Sequence, residues 1–262
     1  MKLRLVPARQ GALWVRQAFR VFFRQPLAFS ALFFLFVIAV FLLLMLSYVG
    51  MVVMLTLLPA ATLGFMIATR QSEAGRFPLP NVFLQPFRGP GERTRGLIQL
   101  GAGYAVASVL LMGLADLIDG SSFTELPGPG VLGGAEETAE VAQPPGGLLL
   151  RLLLALPLSI AFWHAPALVH WGGVSPGKSV FFSLVACWRN RGAFLVYGLT
   201  WAAVVALFAV MSTLVFSLLS TPQLASLAAL PAALMFSTVF YVSLYYTFAD
   251  CFELPAGEGG QG

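Results

Sequence analysis

The chain has 262 residues, of which 58% are hydrophobic and only 10% charged, against roughly a quarter charged in soluble domains. A soluble core cannot absorb that much apolar surface, which excludes an ordinary water-soluble globular protein. The net charge of +4 would suggest nucleic acid in a soluble protein, but membrane topology and attraction to anionic headgroups account for it here, so no nucleic-acid partner is expected.

Residues 1–26 read as a basic amphipathic helix. Arg9, Arg16, Arg20 and Arg24 fall on one helical face, with Trp14, Ala18, Val21 and Phe22 opposite. The pattern predicts an interfacial helix, a candidate membrane-surface site in which the Arg stripe faces headgroups while Trp14 and Phe22 dip into the acyl boundary. Anionic phospholipid is the partner this implies.

From Leu27 to Thr69 there is no charged residue. About twenty apolar residues cross a bilayer as a helix, so this run holds two spans, about 27–46 and 51–69, with Ser47-Tyr48-Val49-Gly50 as the turn. It is too long for a signal peptide, and no small-residue cleavage site precedes the second span. Four more spans are expected at about 97–118, 148–171, 193–219 and 224–248, with a hairpin turn at Ser220-Thr221-Pro222-Gln223. The fold class is therefore all-α, a single polytopic membrane domain of six transmembrane helices.

Fourteen of the fifteen Lys and Arg precede the first span or lie between spans two and three or four and five. With six spans these segments face one side, which the bias of Lys and Arg toward the cytoplasm makes the cytoplasmic one, together with both termini and the tail 249–262. The segment 119–147 holds acids but no Lys or Arg and is rich in Gly and Pro, as expected of an external loop. The exception, Arg151, lies near Asp116 at the external ends of adjacent spans, a candidate ion pair; the alternative is that Arg151 snorkels alone to the outer headgroups.

The chain also reads as one unit repeated three times in parallel: a basic juxtamembrane segment, a span, a turn and a second span with a Leu-Pro pair. Phe22-Phe23-Arg24-Gln25-Pro26-Leu27-Ala28-Phe29 aligns with Cys187-Trp188-Arg189-Asn190-Arg191-Gly192-Ala193-Phe194, and Arg93-Thr94-Arg95-Gly96-Leu97-Ile98 is a weaker copy. The Leu-Pro pairs end at Pro59, Pro157 and Pro231. Ser175-Pro176 starts a second interfacial helix ending near Arg189, and a short one interrupted by Pro86 is expected between Asn81 and Phe87. Small-residue stripes at Gly101, Ala105 and Ser108, and at Ala225, Ala229 and Ala233, are candidate close-packing surfaces, within one subunit or in a homo-oligomer.

His164, beside Pro166 in the fourth span, is the candidate intramembrane polar site. Prolines free backbone carbonyls, so its imidazole is expected to satisfy a kinked backbone; a proton or substrate role is the alternative. His170 lies about 120° around the helix and makes a poor second metal ligand. For Cys187 and Cys251 no structural disulfide is expected, and each reads as a small buried or interfacial apolar residue. No motif points to a metal, a cofactor or a catalytic set, so no enzymatic activity is expected.

Val6-Pro7-Ala8-Arg9-Gln10-Gly11, Ala165-Pro166-Ala167-Leu168-Val169-His170-Trp171 and Phe181-Phe182-Ser183 with Ala186-Cys187-Trp188-Arg189-Asn190-Arg191 together resemble an uncharacterised family of six-span inner-membrane proteins of proteobacteria. More distantly the chain is similar to the membrane domain sometimes fused to glycerophosphodiester phosphodiesterases, without the catalytic domain. The resemblance implies span number and a bacterial inner-membrane location, and carries no site residues. The function expected is that of a non-enzymatic membrane factor engaging lipid or a membrane partner; the alternative is a transporter of a small or lipid-like solute through the proline-broken spans two, four and six.

Overall fold

A computed structural model describes residues 2–119, 145–220 and 223–253, with no side-chain description for 119, 145–149, 152 and 223–226. Within them lie nine α-helices: α1 (Gln10–Arg24), α2 (Pro26–Leu44), α3 (Ser47–Glu73), α4 (Gly91–Asp119), α5 (Pro145–Phe162), α6 (Ala165–Gly172), α7 (Pro176–Arg189), α8 (Arg191–Leu218) and α9 (Gln223–Cys251). Two short 3₁₀ turns, Pro80–Phe83 and Gln85–Phe87, precede α4. Six helical segments are long and apolar enough to cross a membrane, α5 and α6 together making the fourth. Segment 120–144, the greater part of the expected external loop, lies outside the described residues, as do Thr221, Pro222 and the tail from 254 on.

Both ends of the described chain meet at one end of the bundle, here the terminal face. Leu3 bridges Phe252 in antiparallel fashion, Arg4 N–H donates to Cys251 O at 2.8 Å and Glu253 N–H to Lys2 O at 3.1 Å. Asn190 holds the same strand: Val6 N–H donates to its Oδ1 (2.9 Å) and its Nδ2 donates to Arg4 O (3.1 Å).

The first turn differs from the one expected. It comprises Met45 and Leu46, and Ser47, with φ 55°, already starts α3. Gly50 is not a turn residue; it lets α3 meet α2, since a Cβ there would lie 1.6 Å from Leu43 O. None of the three Leu-Pro pairs coincides with a break: α5 stays helical through Pro157, and span four breaks only further on, at Trp163 and His164. α3 and α9 stay helical through Pro59 and Pro231, which corrects the expectation that spans two, four and six are all broken.

The repeat is visible in register. α1 ends at Arg24 and α2 starts at Pro26; α7 ends at Arg189 and α8 starts at Arg191. Proline after Gln25 disfavours helical backbone there, so interfacial helix and span part at that residue. The aligned residues share burial: Phe22 and Cys187 are buried, Arg24 and Arg189 exposed, Ala28 and Ala193 buried. In the middle copy α4 starts early, at Gly91. The juxtamembrane pieces pack cyclically, the 3₁₀ turns on α3, α7 on α5 and α6, and α1 on α8 and α9.

The core sits at the terminal face. Trp14, Phe29, Phe65, His164, Leu168 and Phe248 are fully buried there, whereas α8 buries only Ala193 and Tyr197 and α2 only Ala28, Phe29, Leu32 and Phe33, near its start. Lipid tails are as apolar as leucine, so helices in hydrocarbon gain little by burying apolar side chains. With 27 and 29 residues, α3 and α9 are about 40 Å long and overreach the roughly 30 Å hydrocarbon layer. The excess carries Arg70, Glu73 and Asp250, and it is near water that burial stabilises.

The small residues of α4 pack as expected: Gly101, Ala105 and Ser108 are buried, and a Cβ on Gly101 would meet Thr56 O at 2.0 Å. Ala229 and Ala233 of α9 are instead exposed.

Candidate functional site

The interfacial helix α1 places its Arg stripe outward and its aromatic face in protein. Arg9, Arg16, Arg20 and Arg24 are all exposed. Trp14 is 0% and Phe22 4% exposed, which corrects the expectation that they dip into lipid. Trp14 packs edge and tilt against Tyr197 and Phe194, and its Nε1 donates to Asp250 Oδ2 at 2.7 Å, joined by Gln10 Nε2 at 2.6 Å. Gly11 permits the close approach, since a Cβ there would lie 2.1 Å from Ala193 O. The helix is bolted to α8 and α9, and its four exposed Arg form a basic rail along the outer face. Asp250 was missed in the sequence, although an acid closing an otherwise uncharged span needs a partner, and that need was its signal.

With Phe23 their counterpart on α1, the exposed aromatics of the interfacial helices are concentrated on α7. Its inner face is small, with Ser179, Ser183, Ala186 and Cys187 buried; its outer face exposes Phe181, Phe182, Leu184 and, at 72%, Trp188. The Arg191 guanidinium lies 5.7 Å from the Trp188 ring centre. Burial pushes the Cys187 thiol up to about 12, so it stays a neutral packing group rather than a nucleophile. Cys187 and Cys251 are both free and buried.

Span four breaks at Trp163 and His164, between α5 and α6. Ser183 of α7 is spliced into the helix ladder there. His164 N–H donates to Ser183 Oγ (3.0 Å), and Ser183 Oγ donates to Ile160 O (2.8 Å), bridging what would be a single i to i−4 bond. Pro166, buried at the start of α6, has no N–H with which to continue the ladder. The carbonyl that the His164 N–H leaves free, Ile160 O, is satisfied by Ser183, which corrects the role expected of the His164 imidazole. Both ring nitrogens of His164 lack a hydrogen-bond partner, and the ring faces Phe194, Phe248 and Phe252 at 5.5 to 6.0 Å. No group of three His, Cys, Asp or Glu among the described residues could hold a metal.

Away from the terminal face, Arg151 Nη2 donates to Asp116 Oδ1 at 2.9 Å, with their side chains 34% and 18% exposed. The pair joins α4 to α5 and neutralises the lone cation of that end, a bond of position rather than chemistry.

No protein-family model and no solved structure matches the chain. A protein of Burkholderia thailandensis named probable inner membrane protein is 34% identical over 258 residues, covering 96% of this chain and 94% of that protein.

Proposed function

We infer function from the premise that this chain belongs to the family of that Burkholderia protein and is an integral inner-membrane protein with six spans. We propose that it is a non-enzymatic factor whose terminal face is cytoplasmic and engages anionic phospholipid. The observation that carries the reading is the rail of Arg9, Arg16, Arg20 and Arg24, exposed on a helix whose other face is locked in protein. With the helix itself already anchored, only the four Arg side chains are left to order on meeting phosphates. The polar groups Asp250, Ser183 and Asn190 are used in bonds that hold elements together, which supports a binding surface over a reaction centre.

Two measurements test this. Each Arg near an anionic surface contributes about 1 kcal/mol, so lipid co-purified in native membrane particles is expected to be enriched in phosphatidylglycerol and cardiolipin over the bulk membrane. Replacing Arg9, Arg16, Arg20 and Arg24 with Gln should lower that enrichment several-fold in a folded protein; unchanged enrichment would refute the lipid reading. For orientation, a cysteine introduced at Arg9 or Lys178 should react with an impermeant maleimide only after the inner membrane is opened. Labelling in intact spheroplasts would reverse the topology.

A further inference from the structure

The ring of three hairpins has one open seam. α3 packs closely on α4 and α2 touches α9, but α5 and α8 are held apart, and between them, floored by α9, lies a cleft of about 610 Å³. Its walls include Trp163, Tyr197, Trp201 and Phe240, with Ser159 and Ser237 as minor polar points. All of these residues lie within membrane spans. The walls are pre-set: Trp163 Nε1 donates to Thr247 Oγ1 (3.1 Å), and the Tyr197 hydroxyl shares a hydrogen bond with Ser243 Oγ (2.6 Å). Their polar atoms are thus committed to α9, which leaves the aromatic lining of the cleft apolar.

Depth, size and charge decide the occupant. Water does not fill an apolar groove open to hydrocarbon, so lipid or another helix must. From Phe194 to Trp201 the α8 wall runs about 10 Å, over which a helix about 10 Å across would need roughly 800 Å³. The cleft is smaller than that but falls within the ordinary range for small ligands. On α8, Arg191, Phe194, Gly198 and Trp201 follow one another at helical spacing on one face, which places the exposed Arg191 at the basic end of the groove.

We propose that this seam binds one phospholipid of the leaflet at the terminal face, with an acyl chain in the aromatic cleft and its phosphate on Arg191. The headgroup half rests on the lipid-engaging reading above; the chain half rests on the cleft alone.

Gly198 makes the test clean, because a Cβ there meets nothing within 4 Å, so Gly198→Phe fills the groove without pushing on backbone. The full chain is reconstituted with equal palmitoyl-oleoyl phosphatidylglycerol and phosphatidylcholine, and the lipid that survives activation is read by native mass spectrometry. Wild type is expected to retain one phospholipid, and Gly198→Phe to reduce that retention about tenfold or more. Ala203→Phe, an exposed site outside the cleft, should leave it unchanged. Arg191→Gln should keep a bound lipid but lower the preference for phosphatidylglycerol about fivefold, one Arg's contribution. Undiminished retention in folded Gly198→Phe would overturn the site, as would equal loss in Ala203→Phe or a dimer that Gly198→Phe dissolves. Loss of anionic enrichment on removing the α1 rail, with retention still sensitive to Gly198→Phe, supports the cleft whatever the rail does. Failure of the cleft with the rail's enrichment intact would leave the surface reading standing alone.

Discussion

Trp14→Ala is expected to lower the unfolding free energy by about 3 kcal/mol, the lower end of the range for removing a buried indole. Trp14 has no exposed surface, packs on Phe194 and Tyr197 and donates to Asp250. Its removal leaves a cavity at the joint between α1 and α9 and takes one of two donors from a carboxylate. The cost stays at the lower end because a released amphipathic helix can lie on the bilayer and keep its apolar face out of water. Trp14→Phe separates the two losses: the ring volume mostly remains, the hydrogen bond does not, and about 1 to 3 kcal/mol is expected, as for a bond to a charged group. Reversible unfolding in mixed micelles with increasing dodecyl sulfate measures both. Equal costs for Trp14→Ala and Trp14→Phe would show that the hydrogen bond, not packing, holds α1.

What the sequence made legible follows from which physical signal is local. Long uncharged runs have one stable home, so all six spans and the basic segments beside them were readable, with boundaries shifted where a turn tightened, as at Ser47, or where a helix ran on past the apolar run, as at Glu73 and Gly91. The junctions Arg24-Gln25-Pro26 and Arg189-Asn190-Arg191 were readable as a repeat because residue order sets where a helix parts from a span. The partner of an amphipathic face is not local. Trp14 and Phe22 on α1, and Phe181 and Trp188 on α7, make similar apolar stripes, yet the first pair is buried by α8 and α9 while the second is exposed. Hydrophobic periodicity says that a face avoids water, not whether protein or lipid covers it. Asp250 and Ser183 were invisible for the same reason, their partners lying 236 and 23 residues away in the chain. His164 attracted attention because imidazole is rare at such a position, although a neighbouring helix supplied the hydrogen bond its backbone needed.

That substitution of Ser183 for His164 reverses an expected mutational pattern at the break in span four. Ser183→Ala should destabilise by about 2 kcal/mol, since a buried N–H loses its acceptor and Ile160 O loses its shorter donor. Ser179→Ala, one turn earlier and equally buried, is the internal control. Its hydroxyl donates only to Pro176 O of its own helix, so a loss under about 1 kcal/mol is expected. His164→Leu removes a ring whose two nitrogens are buried without partners and substitutes an apolar side chain among Phe194, Phe248 and Phe252. Relief of desolvated polar atoms opposes the change of shape, so stability should stay within about 1 kcal/mol of wild type or rise. Had the imidazole been satisfying the kinked backbone, His164→Leu would cost as much as Ser183→Ala. Unfolding of the three variants in the same micelles decides between these, and a Leu variant less stable than the Ser183→Ala variant would return the imidazole to the centre of the break.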